Sequence, residues 1–128
     1  MSIVYKPHSS HNLLPKAAKL IADGDQQKAA GKLDLALQNY RAVLKLVNAK
    51  SDLGSYLRVH ARIGPVCESL GMANLNISNS DASRYFNEAV RSYLVIRENE
   101  AVHRCSAQAN AAWRNEFFSQ QHDTSLMY

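Results

Sequence analysis

The sequence predicts an all-α fold of five helices, and three observations carry that reading. The chain of 128 residues has only five glycines and three prolines, while Ala, Leu, Gln, Lys and Arg are plentiful, so strong helix formers dominate. Apolar residues recur at spacings of three and four through most of its length. No stretch alternates apolar and polar residues over the length of a strand, so no sheet is expected.

The bulk numbers fit one compact domain. Hydrophobic residues make up 46% and charged residues 20%. A domain of this size buries roughly two thirds of the surface its unfolded chain exposes, so neither metal nor disulfide is needed to hold it. Cys67 and Cys105 are too far apart for a CxxC zinc or redox motif, and they give no disulfide framework. They read as core filler.

Residues 1–12 hold Pro7, His8 and His11 beside two serines, and read as a flexible lead-in. Asn12 is placed to cap a first helix over residues 13–30, with Pro15 in its first turn. Leu13, Leu14, Ala17, Ala18, Leu20 and Ile21 form its stripe, and Gly31 is its natural stop. The second helix, residues 33–48, has the clearest pattern: Leu33, Ala36, Leu37, Tyr40, Val43, Leu44 and Val47. So short a turn forces the first two helices antiparallel.

Ser51 or Asp52 caps a third helix, whose buried side is Leu53, Tyr56, Leu57, His60, Ile63, Cys67 and Leu70. Pro65 removes the bond to the Ala61 carbonyl, and a kink is expected there. Residues 71–80 read as the one real loop, rich in Asn and Ser, or as one more helical turn before it. Ser80 or Asp81 caps a fourth helix, residues 82–96, with Tyr85, Phe86, Ala89, Val90, Tyr93 and Leu94 as its apolar set. A fifth helix runs over 100–120, small-residued until Trp113, and residues 121–128 read as a loose tail. The helical domain is thus expected over 13–120.

An internal repeat is visible. Gly24 and Gly31 are seven apart, and so are Gly64 and Gly71, further on by 40. Ala36, Tyr40, Val43 and Leu44 follow the first pair, and Ala82, Phe86, Ala89 and Val90 follow the second. This pattern resembles the tetratricopeptide repeat. The resemblance implies small residues where helices cross, a glycine breaking each hairpin, and an aromatic filling the gap to the next repeat. It covers residues 13–120 and implies a right-handed α-α superhelix of two hairpins and a final capping helix. Four features depart from the family pattern, one of them a link between the repeats about six residues longer than the minimal unit. Gln27 and Cys67 stand where an aromatic is usual, about six extra residues enter the second hairpin, and no proline closes either repeat. Residues 30–40, AGKLDLALQNY, also resemble the three-helix domain of microtubule-interacting and trafficking proteins, a likeness confined to residues 14–75.

The tetratricopeptide resemblance implies an adaptor or scaffold that binds a peptide or helix in a groove of first helices. By position the groove presents Ala18, Ile21, Asp25, Lys28 and Ala29, then Arg58, Ala61, Arg62, Pro65 and Glu68. Lys28, Arg58 and Arg62 would give it a cationic lip for an acidic partner; the plain alternative is ordinary solvated charge. Ile21 and Asp25 occupy positions where members that capture chaperone carboxylates carry Lys and Asn, so no such clamp is expected. The trafficking resemblance implies binding of short amphipathic tails instead.

Trp113 and Phe117, four apart on the last helix, either close the core or mark a surface for a partner or a second copy. The net charge of +4 is uneven. Residues 1–62 hold ten Lys/Arg against four acids, +6, and residues 63–128 hold five against seven, −2. The basic residues are scattered without aromatic interleaving, so no nucleic acid is expected as partner.

No catalytic, cofactor or metal site is expected. No His shares a helix face with a carboxylate at metal-ligand spacing, and no Gly-rich phosphate loop is present. His60 and Cys67 share a helix face, but read as core rather than as a nucleophile pair. No apolar run is long enough to span a membrane, and no secretory signal is read. The cytosol or nucleus is the expected compartment, which makes the Asn76-Ile77-Ser78 sequon a coincidence.

Overall fold

The computed structural model describes the backbone of residues 8–126 and the side chains of residues 15–116. It is all-α. Five helices follow in order, α1 His8–Ala29, α2 Leu33–Leu46, α3 Leu53–Asn74, α4 Asn79–Val95 and α5 Asn99–Leu126, with no strand among the described residues. Two compact units divide the chain within α3, at Met1–Ile63 and Gly64–Tyr128.

In the first unit α1 packs on α2 across a tight turn. Gly31 makes the turn with φ +79°. The Lys32 N–H reaches back to the Gln27 carbonyl at 2.8 Å and the Gly31 N–H to Lys28 at 3.0 Å. Those two bonds satisfy carbonyls that the end of α1 would otherwise leave bare. A side chain at Gly31 meets no atom but must adopt the left-handed backbone. Gly31→Ala should therefore cost about 1–2 kcal/mol. Gly54, exposed in the first turn of α3 with only Asp52 Oδ1 nearby at 3.7 Å, is the contrast. Gly54→Ala should stabilise by about 0.5–1 kcal/mol. Thermal melts of the two variants should move in opposite directions.

The core of this unit is Ala17, Ile21, Ala36, Leu37, Tyr40, Val43, Val47, Val59 and Ile63. Asp52 caps α3 by accepting the Ser55 N–H at 3.1 Å, as its position before the apolar run predicts.

In the second unit Ser78, not Ser80 or Asp81, caps α4; its Oγ accepts the Asp81 N–H at 3.3 Å. Ser78 has the extended backbone of a cap, φ −145°, whereas positions 80 and 81 are already helical. The connection before it is only residues 75–78, where Asn76 takes φ +70°. The expected loop over 71–80 is therefore mostly helix, with Gly71 buried inside α3. Arg97, φ +60°, turns the chain into α5, and the Glu98 N–H closes α4 on the Tyr93 carbonyl. Val66, Cys67, Leu70, Ala82, Phe86, Ala89, Tyr93, Ala101, Cys105, Ala109 and Ala112 form the core.

Both terminal helices are longer than expected. α1 begins at His8, not residue 13, so Asn12 is inside the helix rather than its cap. α5 continues to Leu126, through what reads as a tail. Ser, His, Asn and Gln sit only a few tenths of a kcal/mol below Ala in helix propensity, so polarity alone stops neither helix. Residues 1–7 of the expected lead-in lie outside the described residues.

Candidate functional site

Each unit is fastened by one carboxylate held between a tyrosine and an arginine from two other helical segments. In the first, Asp25 on α1 accepts from Tyr40 Oη of α2 at 2.5 Å and from Arg62 Nε of α3 at 2.8 Å. In the second, Glu68 on α3 accepts from Tyr93 Oη of α4 at 2.9 Å. Arg104 of α5 grips the same carboxylate with both its Nε, at 2.5 Å, and Nη2, at 3.0 Å.

A glycine makes room for each phenol. A Cβ on Gly24 would stand 2.5 Å from Tyr40 Cε1, and one on Gly64 would stand 2.9 Å from Tyr93 Cε1. The ring lies on bare helix backbone and its hydroxyl reaches the acid beyond.

The electrostatics follow from this geometry. Burial alone would raise the Asp25 carboxyl, but the bonds from Arg62 and Tyr40 overrule it and hold it below the usual range. The Arg104 guanidinium does the same for Glu68 against burial, with Tyr93 assisting. Burial and the neighbouring carboxylate push both phenols up, so each remains a donor. Carboxyls lowered in the folded state contribute stability that is complete above their unfolded values and is lost as pH falls through the folded ones. The melting temperature should therefore hold from neutral pH down to about pH 5 and drop below about pH 4. Glu68→Gln should melt lower than wild type at pH 7 and lose less between pH 5 and 3. An unchanged acid slope in that variant would remove Glu68 from the account.

The clasp in the first unit links α1 to α3 through the Asp25–Arg62 pair. Ala18, Ala22 and Ala29 of α1 and Ala61 of α3 are exposed, as are Lys28 and Arg58. Asp25 and Glu68, expected in the groove, are the clasp acids, and two more of the expected groove residues stand elsewhere. Ile21 is 4% exposed and belongs to the core. Arg62 is spent on Asp25 and on the Arg58 carbonyl, which its Nη1 reaches at 3.2 Å; it is a fastening, not part of an open cationic lip. Two of the unit's other three acids are engaged as well, and Asp34 is exposed. Asp23 pairs with Lys19 at 3.2 Å, Asp52 caps α3, and Asp34 sits in the first turn of α2.

In the second unit Trp113 is 61% exposed and lines a surface hollow with Asn110 and Arg114. The side chain of Phe117 lies outside the described residues. Ala36, Tyr40, Ala82, Phe86 and Ala89 are all fully buried.

Cys67 and Cys105 are buried and outside any disulfide, and burial with the Glu68 charge pushes Cys105 up to about 11. His60 is buried, its ring centroid 4.6 Å from that of Tyr56 in a T-shaped pair, and burial lowers its pKa. No group of three His, Cys, Asp or Glu is placed to hold a metal ion among the described residues. No helix among them is long and apolar enough to cross a membrane.

The two clasps were not foreseen from sequence. Their one legible signal is a glycine with an acid one residue or one turn after it, at Gly24-Asp25 and at Gly64 and Glu68. Compared with family models, with curated proteins and with solved structures, the chain matches none.

Proposed function

We propose that the chain is a protein-interaction module of the tetratricopeptide type, an adaptor or scaffold that holds a partner peptide or helix on the α1–α3 face of its first unit. One observation carries the reading. The Asp25–Arg62 pair ties the first helix of one hairpin to the first helix of the next, and both carry exposed alanines with Lys28 and Arg58 near them in sequence. Small side chains let a partner backbone come close, and the surplus of cations favours an acidic segment.

The repeat supports the reading in a changed register. A Cβ on Gly71 would stand 2.8 Å from Phe86 Cε1, and one on Gly24 would stand 2.5 Å from Tyr40 Cε1. Gly71, not Gly64, is thus the counterpart of Gly24, each under the aromatic of an Ala-x3-aromatic pair. In that register the second hairpin needs no six-residue insertion. The buried thiols and His60 favour binding over catalysis, and free cysteines favour the cytosol or nucleus.

Crosslinking followed by mass spectrometry tests this. Wild-type chain should capture a reproducible partner set, and Ala22→Glu with Arg58→Glu should lose it while melting as wild type does. Capture unchanged by that pair of substitutions overturns the reading.

The exposed Trp113 favours a second reading, in which α5 serves assembly with a fixed subunit or a second copy. Sedimentation of wild type against Trp113→Ala decides it, because only this reading predicts that the substitution dissociates an oligomer.

A further inference from the structure

The first turns of α3 carry an apolar surface where a surface helix ordinarily carries charge. Leu53, Leu57 and Ala61 follow one another at intervals of four, and Gly54 and Arg58 lie beside them, all exposed. At 3.6 residues per turn these five cover an arc of roughly 140°. The opposite side of the helix, with Ser55, Val59 and Ile63, is buried. Leu53 is 54% exposed and Leu57 37%. A helix apolar on both sides has a second body to meet.

Charge decides which body. This unit carries ten Lys/Arg against four acids, and three of those acids are fastened at Lys19, at Arg62 and at the cap of α3. Arg58 borders the arc itself, and Lys50 precedes it. A second copy on the same face would bring Arg58 toward Arg58 and +6 toward +6, which costs affinity. A lipid surface would gain only two leucine tips, less apolar area than a single acyl chain, which is itself a marginal anchor. We infer that the arc docks an acidic amphipathic helix of a partner protein, its apolar residues seated on Leu53 and Leu57 and its carboxylates meeting Arg58 and Lys50. This rests on the proposed role as an interaction module and names the chemistry of its partner.

The test uses the full chain and a fluorescent helical peptide with leucines along one face and glutamates on both flanks. Anisotropy should show saturable binding that weakens as salt rises. Leu53→Gln with Leu57→Gln should raise Kd about tenfold or more. Arg58→Glu should do the same and flatten the salt dependence. A lysine-flanked peptide should not bind. All three positions are exposed, so the variants keep the wild-type melt, and a melt confirms it.

Absence of saturable binding overturns the inference, as does equal binding by the leucine variant or by the lysine-flanked peptide. Sedimentation that shows a dimer lost in the leucine variant assigns the arc to a second copy and overturns it too. Pelleting with phosphatidylserine vesicles that the leucine variant abolishes assigns it to lipid, with the same result. The inference and the function reading fail separately. If Ala22→Glu with Arg58→Glu loses the captured partners but the glutamate peptide ignores the leucines, the acidic helix falls and the α1–α3 face stands.

Discussion

Tyr40→Ala is expected to lower the unfolding free energy by about 3–5 kcal/mol. Tyr40 is the largest of the fully buried side chains. Its ring fills the space above Gly24, where no side chain of α1 can follow it if it is removed. The substitution also takes a hydrogen bond from Asp25, leaving Arg62 as that carboxylate's partner. Against a typical total of about 5–15 kcal/mol, the loss is a large share. Tyr40→Phe separates the two contributions, since it keeps the ring and loses only the hydroxyl. It should cost about 1 kcal/mol, because Asp25 is part-exposed and water can replace the bond. Urea titrations read both values from the midpoint shift at unchanged slope. If the two variants lose equal stability, the ring packing is not what holds α1 on α2.

The same contact explains what the sequence made legible and what it hid. Helix α2 is readable because its apolar residues follow one clear period: Ala36, Leu37, Tyr40 and Val43 are its buried set, Val47 is buried at its C-cap, and Leu33 and Leu44 of the same stripe are half-buried. The all-α class and the order of five helices follow from similar periodicity. Gly71 reads as a helix stop because a glycine before an Asn-rich stretch has that local signature. Its true partner is the Phe86 ring, fifteen residues away on another helix, and no local rule contains that contact. Asp25, Arg62 and Glu68 read as groove charges for a related reason. Whether a charge faces solvent or another helix depends on packing register, which spacing along a single helix does not define. Ile21 was assigned to the groove by family position, yet its side chain goes to the core.

Gly24→Val and Gly71→Val carry the second large effect and test that register directly. A Cβ at Gly24 would lie 2.5 Å from Tyr40 Cε1, and one at Gly71 would lie 2.8 Å from Phe86 Cε1. Both distances are too short for any packed pair of carbons, whose optimum is near 3.5–4.0 Å (roughly). Neither ring can swing aside, because Tyr40 and Phe86 are both fully buried. The helices themselves must move apart, an overpacking that costs about 1–3 kcal/mol and sometimes more. Replacing a mid-helix glycine recovers part of this, up to about 1 kcal/mol, so Gly24→Ala should lose less than Gly24→Val. Gly64→Val faces Tyr93 at 2.9 Å. Tyr93 is 6% exposed and has a little room to yield, so this variant should lose less than either. A coupling test removes the remaining ambiguity between local strain and loss of the crossing. Gly24→Ala combined with Tyr40→Leu should be less damaging than the sum of the two single changes, since the smaller side chain vacates the space that the new Cβ enters. Strict additivity of the pair would mean that Gly24 and Tyr40 do not share that space.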